Sequence, residues 1–410
     1  MNKQDIKIGV IGLGYVGLPV LSLFSQKYDC WGIDNDVLRV EALKSGTDTR
    51  KCQSNEELSQ ALRLSYITSD WSDLGQCNVY IIAVPTPVDK ENLPDITHLE
   101  EACKAVGNIL SRENIVIFES TVYPGTTDEI CIPILEKTSG LVVNKDFSVA
   151  FSPERINVGD KIHQLDNVPK IVSASNQQAL ELVADLYGSV INAEVVRASN
   201  IKVAEAAKMY ENVQRDVLIA LANQYSDYCR EEGIDIQEVT DCAATKWNFS
   251  NVRPGLVGGH CIGVDAYYLL KRSTQKKVDL PLVITARSIN ENKALQVSNR
   301  ITAYAQSIRI DTKKIKILIL GFSYKANTPD IRNTMIATIV KSLYGTFEIV
   351  DCFDPLVDNY EVELRYGIHM LNPDQLQLDK YDIIVKAVNH DVFDNFIGAL
   401  PIMVDLNVFL

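Results

Sequence analysis

With 410 residues, 46% of them apolar and 23% charged, the chain has the composition of an ordinary globular protein and the length for two or three domains. Its net charge of −13 argues against nonspecific binding to nucleic acid or an anionic membrane, which need basic surfaces. Any anionic ligand has to be held by a local cluster of Lys, Arg and backbone N–H groups.

The opening MNKQDIKIGVIGLG runs straight into a predicted strand and lacks the shape of a signal peptide. No apolar run reaches the roughly 18–20 residues of a membrane span. The first 120 residues alternate short apolar runs with helical patterns. IKIGVIGLG, DCWGID, NVYIIAVPTP and NIVIFESTVYPG read as strands, and FSVAFSPERI and PKIVSAS as further ones. Such alternation implies a parallel sheet covered on both faces. Between Ser189 and Glu232 there is neither Gly nor Pro, which predicts a helix of roughly 30 residues, about 45 Å long. Ser199 or Asn200 can cap its start and Gly233 can end it. A helix of that length suggests a spine between two domains and a dimer interface. After Asp311 the alternation restarts with KIKILILGFSYK, FEIVDCFDP, YDIIVKAVNH and PIMVDLNVFL. The predicted fold class is therefore α/β, with two Rossmann-like parallel-sheet domains joined by a long central helix. The nine cysteines are scattered, with no CxxC pair and no Cys/His metal spacing. A reduced, cytoplasmic protein without a metal is expected.

Gly12-x-Gly14-x-x-Gly17 follows the first strand directly. Gly12 permits a tight turn, Gly14 lets the backbone approach a pyrophosphate, and Gly17 allows close helix–strand packing. Asp34 ends the next strand, 22 residues beyond Gly12, where a carboxylate accepts hydrogen bonds from an adenosine ribose and repels a 2′-phosphate. NAD is favoured over NADP. Arg39 lies over the adenine or ribose edge, or is a solvated helix charge. Thr86 in VPTP and Thr121 in ESTVYPGTT follow strands, where ligands bind in open α/β folds; each contacts the cofactor or satisfies a turn.

On the long helix Lys208, Asn212 and Arg215 stand at i, i+4 and i+7, a polar stripe on one face. SPERI puts Glu154 and Arg155 just past a strand end, with Glu154 either a general base or half of a surface salt bridge. In RPGLVGGHCIGVD, glycines precede Cys261, and Asp265 follows four residues on. Glycine permits close approach of a ligand, and a helix N-terminus there would favour the thiolate. His260 is adjacent, in a backbone or a chemical role. GFSYKANTPDIRNT carries Lys325 and Arg332 around a strand-end loop, a place for phosphate recognition. A nicotinamide site together with a nucleophilic cysteine suggests oxidation through a covalent thiohemiacetal, which hydride loss converts to a thioester and water to an acid.

Seven motifs in order, GLGYVGLP, VPTPV, ESTVYPGTT, SPERIN, EAAKMYENVQRD, RPGLVGGHCIGVD and GFSYKANTPDIRNT, make the chain resemble the UDP-glucose/GDP-mannose dehydrogenase family over nearly its whole length. It is most similar to the bacterial branch acting on UDP-N-acetylhexosamines (glucosamine or galactosamine) for surface polysaccharides. The resemblance implies an NAD-binding Rossmann domain over residues 1–195, a central helical dimerisation and catalytic region over 196–300, and a C-terminal UDP-sugar-binding α/β domain over 301–410. It implies a homodimer or higher homo-oligomer, and a four-electron oxidation of the sugar C6 alcohol to a carboxylate with two NAD. Cys261 is then the nucleophile. Lys208 and Asn212 stabilise oxyanion charge, Glu154 and Asp265 assist proton transfer and thioester hydrolysis, and Thr121 holds water or cofactor. Tyr15, Val16 and Arg332 join the cofactor contacts. Arg155, Arg215, Arg253, Gly258 and Lys325 join the substrate contacts, with Arg253 offered to a neighbouring subunit. Val158, Ala266, Lys386 and Asn407 depart from the residues usual at their motif positions.

UDP-glucose is the alternative substrate. From other classes, a catalytically silent NAD- and nucleotide-sugar-binding regulator would form no NADH, and a two-electron dehydrogenase would have no use for Cys261.

Overall fold

The computed structural model describes residues 5–50, 53–156, 165–308, 311–396 and 403–410, so that Val158 lies outside the described residues. The chain divides into two compact units, residues 1–211 with 267–277, and residues 212–266 with 278–410. The division falls inside the helix Ile201–Glu232 and again inside the helix Ile262–Gln275.

The first unit is built on eight strands: β1 (Lys7–Ile11), β2 (Asp29–Ile33), β3 (Ser65–Thr68), β4 (Val79–Ile82), β5 (Ile115–Phe118), β6 (Ser148–Phe151), β7 (Lys170–Ala174) and β8 (Val195–Arg197). Their order across the sheet is β3-β2-β1-β4-β5-β6-β7-β8. The apolar runs are strands because both sheet faces are covered. Ile81 packs with Ile8, Val10, Leu18, Leu21 and Phe24 on one face. Tyr80 and Ile82 pack with Val116, Phe118 and Val149 on the other. The edge strands β3 and β8 were not announced by apolar runs: each is short, only Ile67 and Thr68 of β3 are buried, and two of the three residues of β8 are exposed. The expectation of a wholly parallel sheet is corrected at one junction. β6 and β7 pair antiparallel, Phe151 opposite Ser173, while every other junction is parallel.

In the second unit β9 (Lys316–Leu320), β10 (Ile349–Phe353), β11 (Ile383–Lys386) and β12 (Met403–Asp405) form a parallel sheet of order β10-β9-β11-β12. Its core joins Ile317, Ile319 and Val385 to Val297 and Ile301 of the helix Pro281–Ile308. The helix Ile201–Glu232 has the expected limits: the Asn200 side chain accepts from Val203 N at 3.0 Å, and Gly233 turns out of it at φ +71°. No described helix is long and apolar enough to cross a membrane, and no cluster of metal ligands occurs among the described residues.

A Cβ built on Gly17 falls 1.8 Å from the Gly12 carbonyl oxygen, so close packing of helix on loop admits no side chain. Gly17→Ala is expected to destabilise the first unit by about 2–4 kcal/mol. At Gly46, φ is +83° but nothing lies within 4 Å; Gly46→Ala there is expected to cost about 1 kcal/mol of backbone strain alone. Urea denaturation of the two variants checks the order.

Candidate functional site

In the first unit the strand order reverses between β1 and β4, the crevice where open α/β sheets bind ligands. Gly12 turns the chain out of β1 at φ +89°. Asp34 accepts from Leu13 N at 2.9 Å and from Asp36 N at 3.0 Å, which fixes its carboxylate beside the glycine loop. A Cβ on Gly14 would meet only an Arg50 nitrogen, at 3.5 Å, so a ligand can approach that backbone closely. Tyr15 and Val16 are half-buried between that glycine and the helix Gly17–Ser25. These residues fit a bound dinucleotide. Arg39 is not a solvated charge: it is buried, donating twice to the Leu13 carbonyl and, from Nη1, to Asp48 at 2.6 Å. It braces the loop from within the protein.

Thr86 Oγ1 donates to the Thr121 carbonyl at 2.7 Å, tying together the loops that follow β4 and β5. The second loop is also held by Glu205, a fully buried carboxylate that sequence reading passed over. It accepts from Gly125 N at 2.5 Å and from Thr127 N at 3.0 Å. Burial, only partly offset by those amides, raises its pKa to about 7. Glu154 is not in a surface salt bridge. It is buried, accepts from Arg155 N at 2.5 Å and Ile156 N at 2.6 Å, and pairs with buried Lys170 at 3.1 Å. Lys208, buried in the same unit, adds a favourable charge to Glu154. Arg155 is engaged by Glu211 at 2.8 Å and by the Pro169 carbonyl at 2.9 Å.

In the second unit Cys261 stands immediately before the helix Ile262–Gln275, half-buried, its Sγ 3.2 Å from His260 Nδ1. Its carbonyl accepts Asp265 N at 2.8 Å. Asp265 is buried, and its carboxylate accepts from Asn212 Nδ2 at 2.5 Å. None of the described cysteines is in a disulfide, and most are buried. Along the polar stripe, Lys208 is buried, Asn212 half-buried and Arg215 exposed.

The glycines before Cys261 have a second explanation. Cβ atoms on Gly258 and Gly259 would lie within 3 Å of Tyr324, so part of the room they leave is filled by the protein itself. Asn333 Nδ2 donates to the Gly259 carbonyl at 2.9 Å, and Gly259 N donates to the Arg332 carbonyl at 3.1 Å. The two motifs around Cys261 and Lys325 are thus one assembly. Asn223 closes it from the long helix, exchanging two 3.0 Å hydrogen bonds with the Gly255 peptide groups. Lys325 lines a cavity of about 220 Å³ with Gly255, Tyr324, Asn389, Asp405 and Asn407. Apart from Gly255, those residues lie at or just past the ends of β9, β11 and β12, again the carboxyl ends of a sheet at its reversal point. Arg332 pairs with Asp330, Nε to Oδ1 at 2.9 Å, while exposed Arg253 pairs with Asp241 and Gln237 of its own chain.

Models of the UDP-glucose/GDP-mannose dehydrogenase family match almost throughout: its NAD binding domain over residues 6–191, its central domain over 202–292 and its UDP binding domain over 318–409. The chain is 44% identical to a UDP-N-acetyl-D-glucosamine 6-dehydrogenase of Salmonella typhi, across 95% of this chain and 91% of that one. It is 42% identical to protein CapL of Staphylococcus aureus, across 96% and 92%. A solved UDP-D-ManNAc dehydrogenase of Pyrococcus horikoshii superposes with a TM-score of 0.87 at 29% identity, covering 98% of this chain and 99% of that one.

Glu205 makes stability pH-dependent in a specific direction. Its folded-state pKa, about 7, lies above the ordinary 4.5, so the folded state holds the proton more tightly and loses stability as pH rises from 4.5 to 7. Relative to Glu205→Gln, the wild type is expected to lose about 3 kcal/mol of unfolding free energy between pH 4.5 and 8, measurable by urea denaturation across that range.

Proposed function

The chain belongs to the UDP-glucose/GDP-mannose dehydrogenase family, and on that premise we propose that it oxidises the C6 alcohol of a UDP-N-acetylhexosamine to the uronic acid, with NAD as acceptor. The observation that carries the reading is Cys261 at the start of its helix, with Asp265 one turn on and anchored by Asn212. The similarity to the Salmonella UDP-N-acetyl-D-glucosamine 6-dehydrogenase supports the choice of sugar.

NAD would supply the hydride acceptor for both oxidations, one molecule for each. Gly12, Gly14, Tyr15, Val16, Gly17, Asp34 and Thr121 would hold it, with Thr86 fixing the Thr121 loop. Cys261 adds its sulfur to the C6 aldehyde, forming a C–S bond while the carbonyl oxygen gains a proton. Loss of hydride from carbon and of the hydroxyl proton leaves a thioester; water attacks, the C–S bond breaks and the thiolate is restored. In this reading Lys208 and Asn212 have the role of stabilising the developing oxyanion. Glu154 accepts the proton of the attacking water, and Asp265 keeps Asn212 oriented. Lys325 and Gly258 lie on the substrate side, with Arg332 shared between cofactor and nucleotide sugar. Arg155, Arg215 and Arg253 are the outer substrate arginines of this reading. The same reading places an NAD-binding domain in residues 1–195, a central dimerisation region in 196–300 and a UDP-sugar domain in 301–410, in a cytoplasmic homodimer or higher homo-oligomer. The family-model limits support that division.

A panel of UDP-sugars with NAD is expected to give kcat/KM at least about tenfold higher for UDP-N-acetylglucosamine or UDP-N-acetylgalactosamine than for UDP-glucose. The reverse order would assign the chain to UDP-glucose, and tight binding without NADH formation would assign a regulator. Cys261→Ala is expected to lower acid formation by at least about a thousandfold, with NAD affinity by calorimetry within about twofold of wild type.

A further inference from the structure

Behind Glu154 lies a charge cluster that sequence reading did not connect. Lys170 Nζ is 3.0 Å from Glu119 Oε2 and 3.1 Å from Glu154 Oε2. The hydroxyl of Tyr187 hydrogen-bonds Glu119 Oε1, and Lys170 also lies 5.2 Å from the Tyr187 ring centre. Glu119, Lys170 and Tyr187 are each no more than 2% exposed. One ammonium group therefore faces two carboxyl groups where water does not reach. Burying a second, uncompensated negative charge is costly, and the usual escape is to keep a proton.

The geometry decides which carboxyl keeps it. Glu154 accepts two backbone N–H groups besides Lys170, and has Lys208 nearby. Glu119 has only the shared lysine and a phenol. Three donors and a second cation favour the charged form at Glu154. We propose that Lys170 is a positioning residue that holds Glu154 as an oriented carboxylate, with Glu119 beside it carrying the cluster's proton.

The electrostatic balance at the two carboxyl groups runs the same way. Burial raises Glu119 above the ordinary carboxylate range despite Lys170. Burial would also raise Glu154, but Lys170 and the Ile156 amide bring it below that range. The antiparallel junction explains the placement. β7 runs against β6, so Lys170, its first residue, falls beyond the carboxyl end of β6, where Glu154 is. A parallel β7 would put Lys170 at the opposite edge of the sheet.

The inference rests on Glu154 being the base, so the experiment tests that separately. In pH profiles of kcat/KM for NAD-dependent acid formation, Lys170→Met is expected to move the acid limb up by about one pH unit or more. Glu119→Gln, which imitates a protonated carboxyl, is expected to leave the limb in place. A merely structural lysine would lower activity in Lys170→Met without moving the limb, and that result overturns the proposal. The double variant Lys170→Met with Glu119→Gln removes one charged group and one carboxyl together, and carries the same expected shift if the single variant does not fold. Independently of turnover, the wild-type minus Glu119→Gln infrared difference spectrum at neutral pH is expected to contain a protonated-carboxyl C=O band. Absence of that band from the wild-type minus Glu119→Gln difference overturns the place of the proton. Undiminished acid formation by Glu154→Gln would instead overturn Glu154 as base, leaving the infrared result to decide the charge arrangement.

Discussion

Parallel strands covered by helices on both faces leave polar chemistry one place to go, the loops at their carboxyl ends. Gly12 follows β1, Asp34 β2, Thr86 β4, Glu119 and Thr121 β5, and Glu154 β6. The second unit repeats the rule: Lys325 follows β9, Asn389 β11 and Asn407 β12. The apolar strands supply rigidity, and their ends fix where the reactive side chains begin. The candidate site is a consequence of that constraint before it is a set of residue types.

Each loop then needs its own anchor, because a strand end leaves backbone N–H and C=O groups unpaired. The first unit uses buried charge for this: Arg39 on the Leu13 carbonyl and Glu205 on the Gly125 and Thr127 amides. The second uses neutral groups: Asn223 copies a peptide's donor–acceptor pair against Gly255, and Asn333 holds Gly259. Such anchors orient reacting groups without touching substrate, and a loop mispositioned by an ångström loses much of its rate advantage.

The glycine loop, Asp34, the long helix and its caps were legible in the sequence, because each depends on local backbone geometry and on residues close in the chain. Cys261 and Asp265 were legible as one helical turn. Arg39 was read as a cofactor contact or a solvated helix charge, and its role as a buried brace was not legible because nothing near it in sequence marks Asp48 as its partner, nine residues on. Lys170 was invisible for a topological reason. It opens an apolar run that reads as another parallel strand, and only the antiparallel pairing with β6 brings it to Glu154. Glycines 258 and 259 were read as space for a ligand, but Tyr324, more than sixty residues later, occupies part of that space. Pairings of distant residues follow from strand order and direction, which a local pattern does not encode.

The four-electron character of the proposed reaction is the central claim, since a two-electron alcohol oxidation would have no use for Cys261. The ratio of NADH formed to uronic acid released from a UDP-N-acetylhexosamine measures it directly. Two NADH are expected for each acid, with no free aldehyde. One NADH for each product, with an aldehyde or ketone accumulating, would contradict it.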